Sequence, residues 1–114
     1  MHELGIIVQI NKTLQNVAKE NNVTKIGSVT LEIGEVSGII PSYFEECWRF
    51  YRKKDPLLYE AELRMETILG ITYCEDCQRT YETVKYGKIC PYCQSENTYL
   101  VQGNECNIKE IEAE

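Results

Sequence analysis

Four of the six cysteines stand as Cys74-Glu-Asp-Cys77, twelve residues, then Cys90-Pro-Tyr-Cys93. A two-residue gap lets both sulfurs of a C-x-x-C knuckle face one ion, with backbone N–H groups turned toward the thiolates. Two such knuckles joined by a short hairpin close a tetrahedral S₄ shell with Zn–S distances near ~2.3 Å. Four thiolates also suit iron, which would colour the protein. A thioredoxin-type redox pair would instead open a helix after a strand, and two matched knuckles do not fit that placement. A shell filled by four cysteines has no position for water or substrate, so a zinc ion here is structural. Residues 73–100 carry five tyrosines and few aliphatics. Metal binding must therefore supply much of that segment's folding energy.

The remainder of the chain has ordinary amphipathic patterning. Leu4 to about Glu20 reads as a helix, with Ile7, Ile10, Leu14 and Val17 on one stripe and Asn21-Asn22 as its stop. Lys25–Val36 alternates Val29, Leu31 and Ile33 against Ser28, Thr30 and Glu32, the pattern of a strand with one buried face. Gly34 and Gly38 bracket a turn. Pro41 then opens a second helix, in which Ser42 and Glu45 have the spacing of a capping box. Phe44, Cys47, Trp48 and Tyr51 follow at helical spacing, and Cys47 and Cys106 read as buried structural thiols. The basic run Arg49, Arg52, Lys53 and Lys54 complements that helix's C-terminal dipole. Ala61–Ile71 reads as a second strand and "ECNIKEIE" as a third.

The expected fold class is α+β: two helices packed on a three-stranded sheet, with an inserted zinc-ribbon-like domain at 70–101 and the main domain formed by 1–69 plus 102–114. Twelve basic residues against eighteen acidic ones, net −6, argue against nucleic acid as a partner. No apolar run approaches the ~20 residues that span a bilayer, and the first residues do not pattern as a signal peptide. The expectation is a cytoplasmic protein with no membrane partner. His2 is the only histidine, and no Gly-rich phosphate loop or paired catalytic carboxylates stand out. An independent enzyme is not expected.

The segment Met1-His2-Glu3 has its own chemistry. A free α-amine, the following amide nitrogen and an imidazole on residue 2 can close adjacent chelate rings around one ion. A planar set of nitrogens favours Ni(II) or Cu(II), and Glu3 can add a carboxylate or its backbone nitrogen. The same residues also suit a solvated terminus, and spacing alone leaves both readings open.

"MHE" before an amphipathic helix, "EIGEVSGIIP", the C-x2-C-x12-C-P-x-C cluster and the closing "GNECNIKEIE" occur together and in order. In that combination the chain resembles the HypA/HybF family of hydrogenase-maturation nickel chaperones over essentially its whole length. The resemblance implies Ni(II) as cargo, bound at Met1, His2 and Glu3, and structural Zn(II) on Cys74, Cys77, Cys90 and Cys93. It implies delivery to the [NiFe]-hydrogenase large subunit with the GTPase HypB, and in some organisms service to urease maturation proteins. Three departures stand out. The chain lacks the further histidine that some members use for nickel. Gln78 and Gln94 replace the glycine common after each knuckle's second cysteine, which predicts a different local turn. Cys106 replaces an aliphatic residue. The competing reading is a zinc-ribbon interaction or nucleic-acid module in which His2 is incidental.

Overall fold

The computed structural model describes residues 3–113. Along the chain run α1 (Glu3–Glu20), β1 (Ile26–Gly34), α2 (Pro41–Arg52), β2 (Glu62–Ile68), β3 (Ile71–Cys74), β4 (Thr80–Glu82), α3 (Thr83–Tyr86), β5 (Thr98–Gln102) and β6 (Cys106–Ala113). They form two three-stranded sheets, ordered β2-β1-β6 and β4-β3-β5. The fold is α+β, and the described chain divides into two compact units. One takes the residues up to Leu31, Ile39–Glu66 and those from Asn107 on; the other takes Glu32–Gly38 and Thr67–Cys106.

The first unit is built by helix periodicity. Ile7, Ile10, Leu14 and Ala18 of α1 are buried, as are Phe44 and Trp48 of α2 and Ile26, Val29 and Leu31 of β1. Burying a side chain of this size is worth about 1.5–3 kcal/mol each. Helix α1 stops where the sequence predicts. Asn22 takes a left-handed φ of 55°, and the Val23 N–H returns to the Ala18 carbonyl at 2.8 Å. Helix α2 starts differently from expectation. Its N-cap is Ile40, which has no side chain to cap with, and Pro41 takes the first helical position. Proline's fixed φ preorganises that turn, and its missing N–H leaves one fewer donor to satisfy. Ser42 is thereby inside the helix and no capping box forms; Glu45 pairs instead with Arg49 at 3.4 Å.

Polar side chains of α1 reach α2 and the turn that follows it. Asn11 donates to the Tyr51 hydroxyl at 3.0 Å, and Gln15 donates to Asp55 Oδ2 at 2.8 Å. At the end of α2, the indole N–H of Trp48 and the guanidinium of Arg52 both donate to the Ala61 carbonyl, at 3.0 and 2.9 Å.

The sequence predicts one buried face for β1, yet both are covered. Ser28 and Thr30, on the polar face, are 4% and 5% exposed. The reason lies in the neighbouring strands. Arg64 of β2 reaches Glu112 of β6 at 2.6 Å, and Lys109 of β6 reaches Glu66 of β2 at 2.7 Å. These pairs arch over the small residues of the central strand, and the Ser28 hydroxyl donates to the same Glu112 oxygen at 2.8 Å. The aliphatic stems of long charged side chains commonly cover surface in this way.

The predicted strand 61–71 is in fact two strands in different sheets, β2 and β3, separated at Leu69-Gly70. In the second unit Gly34, Gly70 and Gly103 meet backbone to backbone. A Cβ on Gly34 would lie 2.1 Å from the Gly103 carbonyl oxygen, and one on Gly103 would lie 2.4 Å from the Gly70 Cα. Around this contact the Gly34 N–H donates to the Glu105 carbonyl at 2.7 Å, Val36 N–H to the Gly103 carbonyl at 2.8 Å, and Gly70 N–H to Glu35 Oε1 at 2.9 Å. Two of the motifs that carry the family resemblance, at 32–41 and 103–112, thus supply a close backbone crossing that only glycine permits.

Candidate metal centre

In the second unit β3 pairs antiparallel with both β4 and β5. Tyr73 and Tyr99 are cross-strand partners with ring centroids 5.4 Å apart. Tyr81 is buried, meets Tyr86 edge-on and donates its hydroxyl to the Gly87 carbonyl at 2.9 Å. The local core is small: Cys74, Tyr81 and Cys90, with Cys77 packed against them.

The strand pairing brings the two knuckles together. The ligand atoms of Cys74, Cys77, Cys90 and Cys93 all lie within 4.8 Å of one another. Cys74 Sγ is 3.6 Å from Cys93 Sγ, and Cys77 Sγ is 3.5 Å from Cys90 Sγ. Zinc–thiolate bonds of ~2.3 Å at tetrahedral angles place sulfurs about 3.8 Å apart. The donor set and spacing therefore fit a four-coordinate metal ion such as zinc on these four cysteines.

The knuckles repeat one hydrogen-bond pattern. The Cys74 carbonyl accepts from Gln78 N–H and the Cys90 carbonyl from Gln94 N–H, both at 2.9 Å. Cys74 N–H donates to the Arg79 carbonyl and Cys90 N–H to the Ser95 carbonyl, again at 2.9 Å. Gln78 and Gln94 close these turns with φ of 58° and 63°. The expectation of a different turn is therefore corrected. The left-handed turn persists, and each glutamine bears the steric cost of its Cβ, about 1–2 kcal/mol.

The thiols are not equivalent. Burial, with the neighbouring sulfurs of Cys90, Cys74 and Cys93, pushes the Cys77 thiol up to about 12. Burial also opposes ionisation of Cys90, but hydrogen bonds from the Cys93 and Tyr92 N–H groups outweigh it and hold that thiol at about 7. A metal displaces these protons as it binds. The knuckles are also tied from outside. Asp76 accepts from Ser95 Oγ and from Asn97 Nδ2, which lowers its carboxyl below the usual range. The Arg79 guanidinium lies 4.9 Å from the Tyr92 ring centroid. Sequence reasoning did not single out Asp76, Ser95 and Asn97, because nothing local marks contacts made across the hairpin.

At the other candidate site, Met1 and His2 lie outside the described residues. Glu3 is the first residue of α1 and is 1% exposed. Neither of its carboxylate oxygens has a hydrogen-bond partner among the described residues. On α2, Cys47 is half-buried rather than buried. The charge of Cys47 and its hydrogen bond with Tyr43, with smaller effects of burial, Glu3 and Glu46, raise the Tyr43 phenol above its usual range. Cys106, also half-buried, has its thiol raised by burial.

The family model for hydrogenase/urease nickel incorporation, a metallochaperone described as hypA, matches residues 1–113. The chain belongs to the HypA family. It is 31% identical to the hydrogenase maturation factor HypA of Aquifex aeolicus, over all of this chain and 98% of that one. It is 32% identical to HypA of Geobacter metallireducens over the full length of both. It is also similar to the solution structure of the Ni metallochaperone HypA from Helicobacter pylori. That likeness has a TM-score of 0.74 at 27% identity and covers 99% of this chain and 97% of that one. Membership places the chain in a metallochaperone family of hydrogenase maturation factors. Among the described residues no helix is long and apolar enough to cross a membrane.

Proposed function

We propose that the protein is a cytoplasmic nickel chaperone that binds Ni(II) through Met1, His2 and Glu3 and releases it to the hydrogenase-maturation machinery. HypB and the [NiFe]-hydrogenase large subunit are the partners this reading names, with urease maturation as a second destination. Residues 1–69 with 102–114 form the nickel-binding domain in this proposal. Residues 70–101 form a zinc-ribbon-like domain with structural Zn(II) on Cys74, Cys77, Cys90 and Cys93.

The observation that carries the reading is a family match over residues 1–113, which takes in His2, the chain's only imidazole. The start of α1 at Glu3 supports it, because the third residue of the proposed site is thereby held in a helix. Nitrogen ligands that must lose protons to bind make such a site acid-labile, which suits a carrier that has to release its ion. The test is calorimetry of Ni(II) binding to the untagged, zinc-loaded protein. His2→Ala abolishes nickel binding while zinc content and circular dichroism stay unchanged. Equal nickel affinity in the variant refutes the assignment.

A further inference from the structure

The basic run that closes α2 is joined by a cation from another element. Lys53 and Lys54 follow directly on α2, where their charge complements the C-terminal pole of the helix. Lys25 precedes β1. Yet Lys25, Lys53 and Lys54 line one cavity of about 400 Å³, a volume within the range of ligand-binding clefts. A helix end carries only about half a unit of charge, so three cations are far more than it calls for. All three lysines are exposed, and none makes an ion pair with another described residue. Against them the lining sets Glu60 as its acid. In a chain of net charge −6 this is a local excess of positive charge.

The rest of the lining is apolar: Pro56, Leu57 and Tyr59, the last 60% exposed. Its backbone is tied down. Leu57 N–H donates to Asp55 Oδ1 at 2.9 Å, the Leu57 carbonyl accepts from Ile26 N–H at 3.0 Å, and Leu58 is fully buried. The bond at Ile26 also brings the adjacent Lys25 to the lysines that follow α2. Asp55, the acid next to Lys54, is occupied elsewhere, because its Oδ2 accepts from Asn11 and Gln15 of α1 at 3.1 and 2.8 Å. The Lys54 ammonium lies 4.3 Å from the centroid of the exposed Phe50 ring.

An apolar floor with a cationic rim suits an anion that carries an apolar group. The end of α2 is the negative pole of that helix, so a compact dianion such as phosphate gains less here than at a helix N-terminus. Carboxylates spread along a chain can meet the lysines one by one while a side chain between them fills the cavity. Ammonium groups on flexible stems act as point charges that tolerate such spacing. We propose that this cavity docks an acidic segment of a partner protein. One large apolar side chain of that segment sits on Pro56, Leu57 and Tyr59, and its flanking carboxylates pair with Lys25, Lys53 and Lys54. The net-negative remainder of the chain repels such a segment, so the lysines set where and in which orientation it lands. Docking there requires no nickel, and stands or falls apart from the nickel reading above.

The test uses full-length, zinc-loaded protein and the fluorescein-labelled peptides Glu-Asp-Glu-X-Glu-Asp-Glu, with Leu, Phe or Trp at X. Binding is read by fluorescence anisotropy and by amide shifts in nuclear magnetic resonance spectra. At least one peptide should bind, shifting the amides of Lys25 and of residues 53–60, with an affinity that weakens as salt is raised. Lys53→Glu combined with Lys54→Glu should lower the affinity about tenfold, and Lys25→Glu alone about fivefold. Exposed lysines without ion pairs can be reversed with little effect on folding, which unchanged circular dichroism verifies. No binding by any of the three peptides, or binding undiminished in Lys25→Glu, overturns the proposal. A peptide with Ser at X that binds as well as the others also overturns it, as does inorganic phosphate that reproduces the shifts, because either marks a plain anion site. Binding to phosphatidylserine vesicles by protein that ignores all three peptides overturns it in favour of a membrane surface.

Discussion

The two units reach stability by different routes. The first buries Ile7, Leu14, Val29, Leu31, Phe44, Trp48 and Leu58 almost completely. The second has two buried cysteines and one buried tyrosine at its centre, while Val84, Ile89, Tyr92, Leu100 and Val101 face solvent. Burial at about 25 cal/mol per Å² can hold the first together. The second has little such surface to bury, and in the proposed reading a zinc ion on its four sulfurs supplies the rest. On that reading the chain combines a hydrophobically folded part with a part whose fold is a function of metal supply.

The sharpest way to break that comparison is to remove the metal. A strong chelator should abolish amide protection in β3, β4 and β5 while α1 and α2 keep theirs. Structural zinc sites carry apparent binding energies of about 10–16 kcal/mol, far more than this small core can replace. Hydrogen exchange followed by mass spectrometry reads the two units separately, and simultaneous loss of protection in both would refute the division of labour. A smaller effect comes from the opposite side. Leu14→Ala removes a fully buried side chain of α1 and should cost about 2–5 kcal/mol in chemical denaturation. Zinc stoichiometry in the folded fraction should not change, and zinc loss from that fraction would contradict the comparison.

The smallest effect concerns the knuckles. Gln78→Gly and Gln94→Gly replace side chains held at φ of 58° and 63°. Each should stabilise the zinc-loaded second unit by about 1 kcal/mol, the steric cost of a left-handed residue less glycine's greater chain entropy. Slower zinc transfer to a chromogenic chelator would register the gain, and faster transfer in both variants would show that the glutamine side chains contribute more than their strain costs.

Local pattern was a good guide wherever structure is itself local. The C-x-x-C pairs, the helix from Glu3 to Glu20 and its Asn22 stop all follow from spacing and from the conformational tolerance of particular residues. The capping box at Ser42 failed because two local signals competed and Pro41, one residue earlier, claimed the first helical position. The turns at Gln78 and Gln94 were misjudged for a related reason. Their left-handed φ is imposed by the geometry of paired knuckles rather than chosen by the residue that occupies the position.

The sequence by itself determined which ligands the second unit offers, since four cysteines at that spacing admit little but a closed thiolate shell. It also determined the helical stripes, the net charge of −6 and, through the order of its motifs, the family. Only the tertiary structure decided three other matters. It set Gly34, Gly70 and Gly103 in backbone contact, covered the polar face of β1 with ion pairs from both edge strands, and tied α1 to the end of α2 through Asn11–Tyr51 and Gln15–Asp55. Each joins residues more than thirty positions apart. Periodicity reports which way a side chain points within its own element, and packing decides what it meets there.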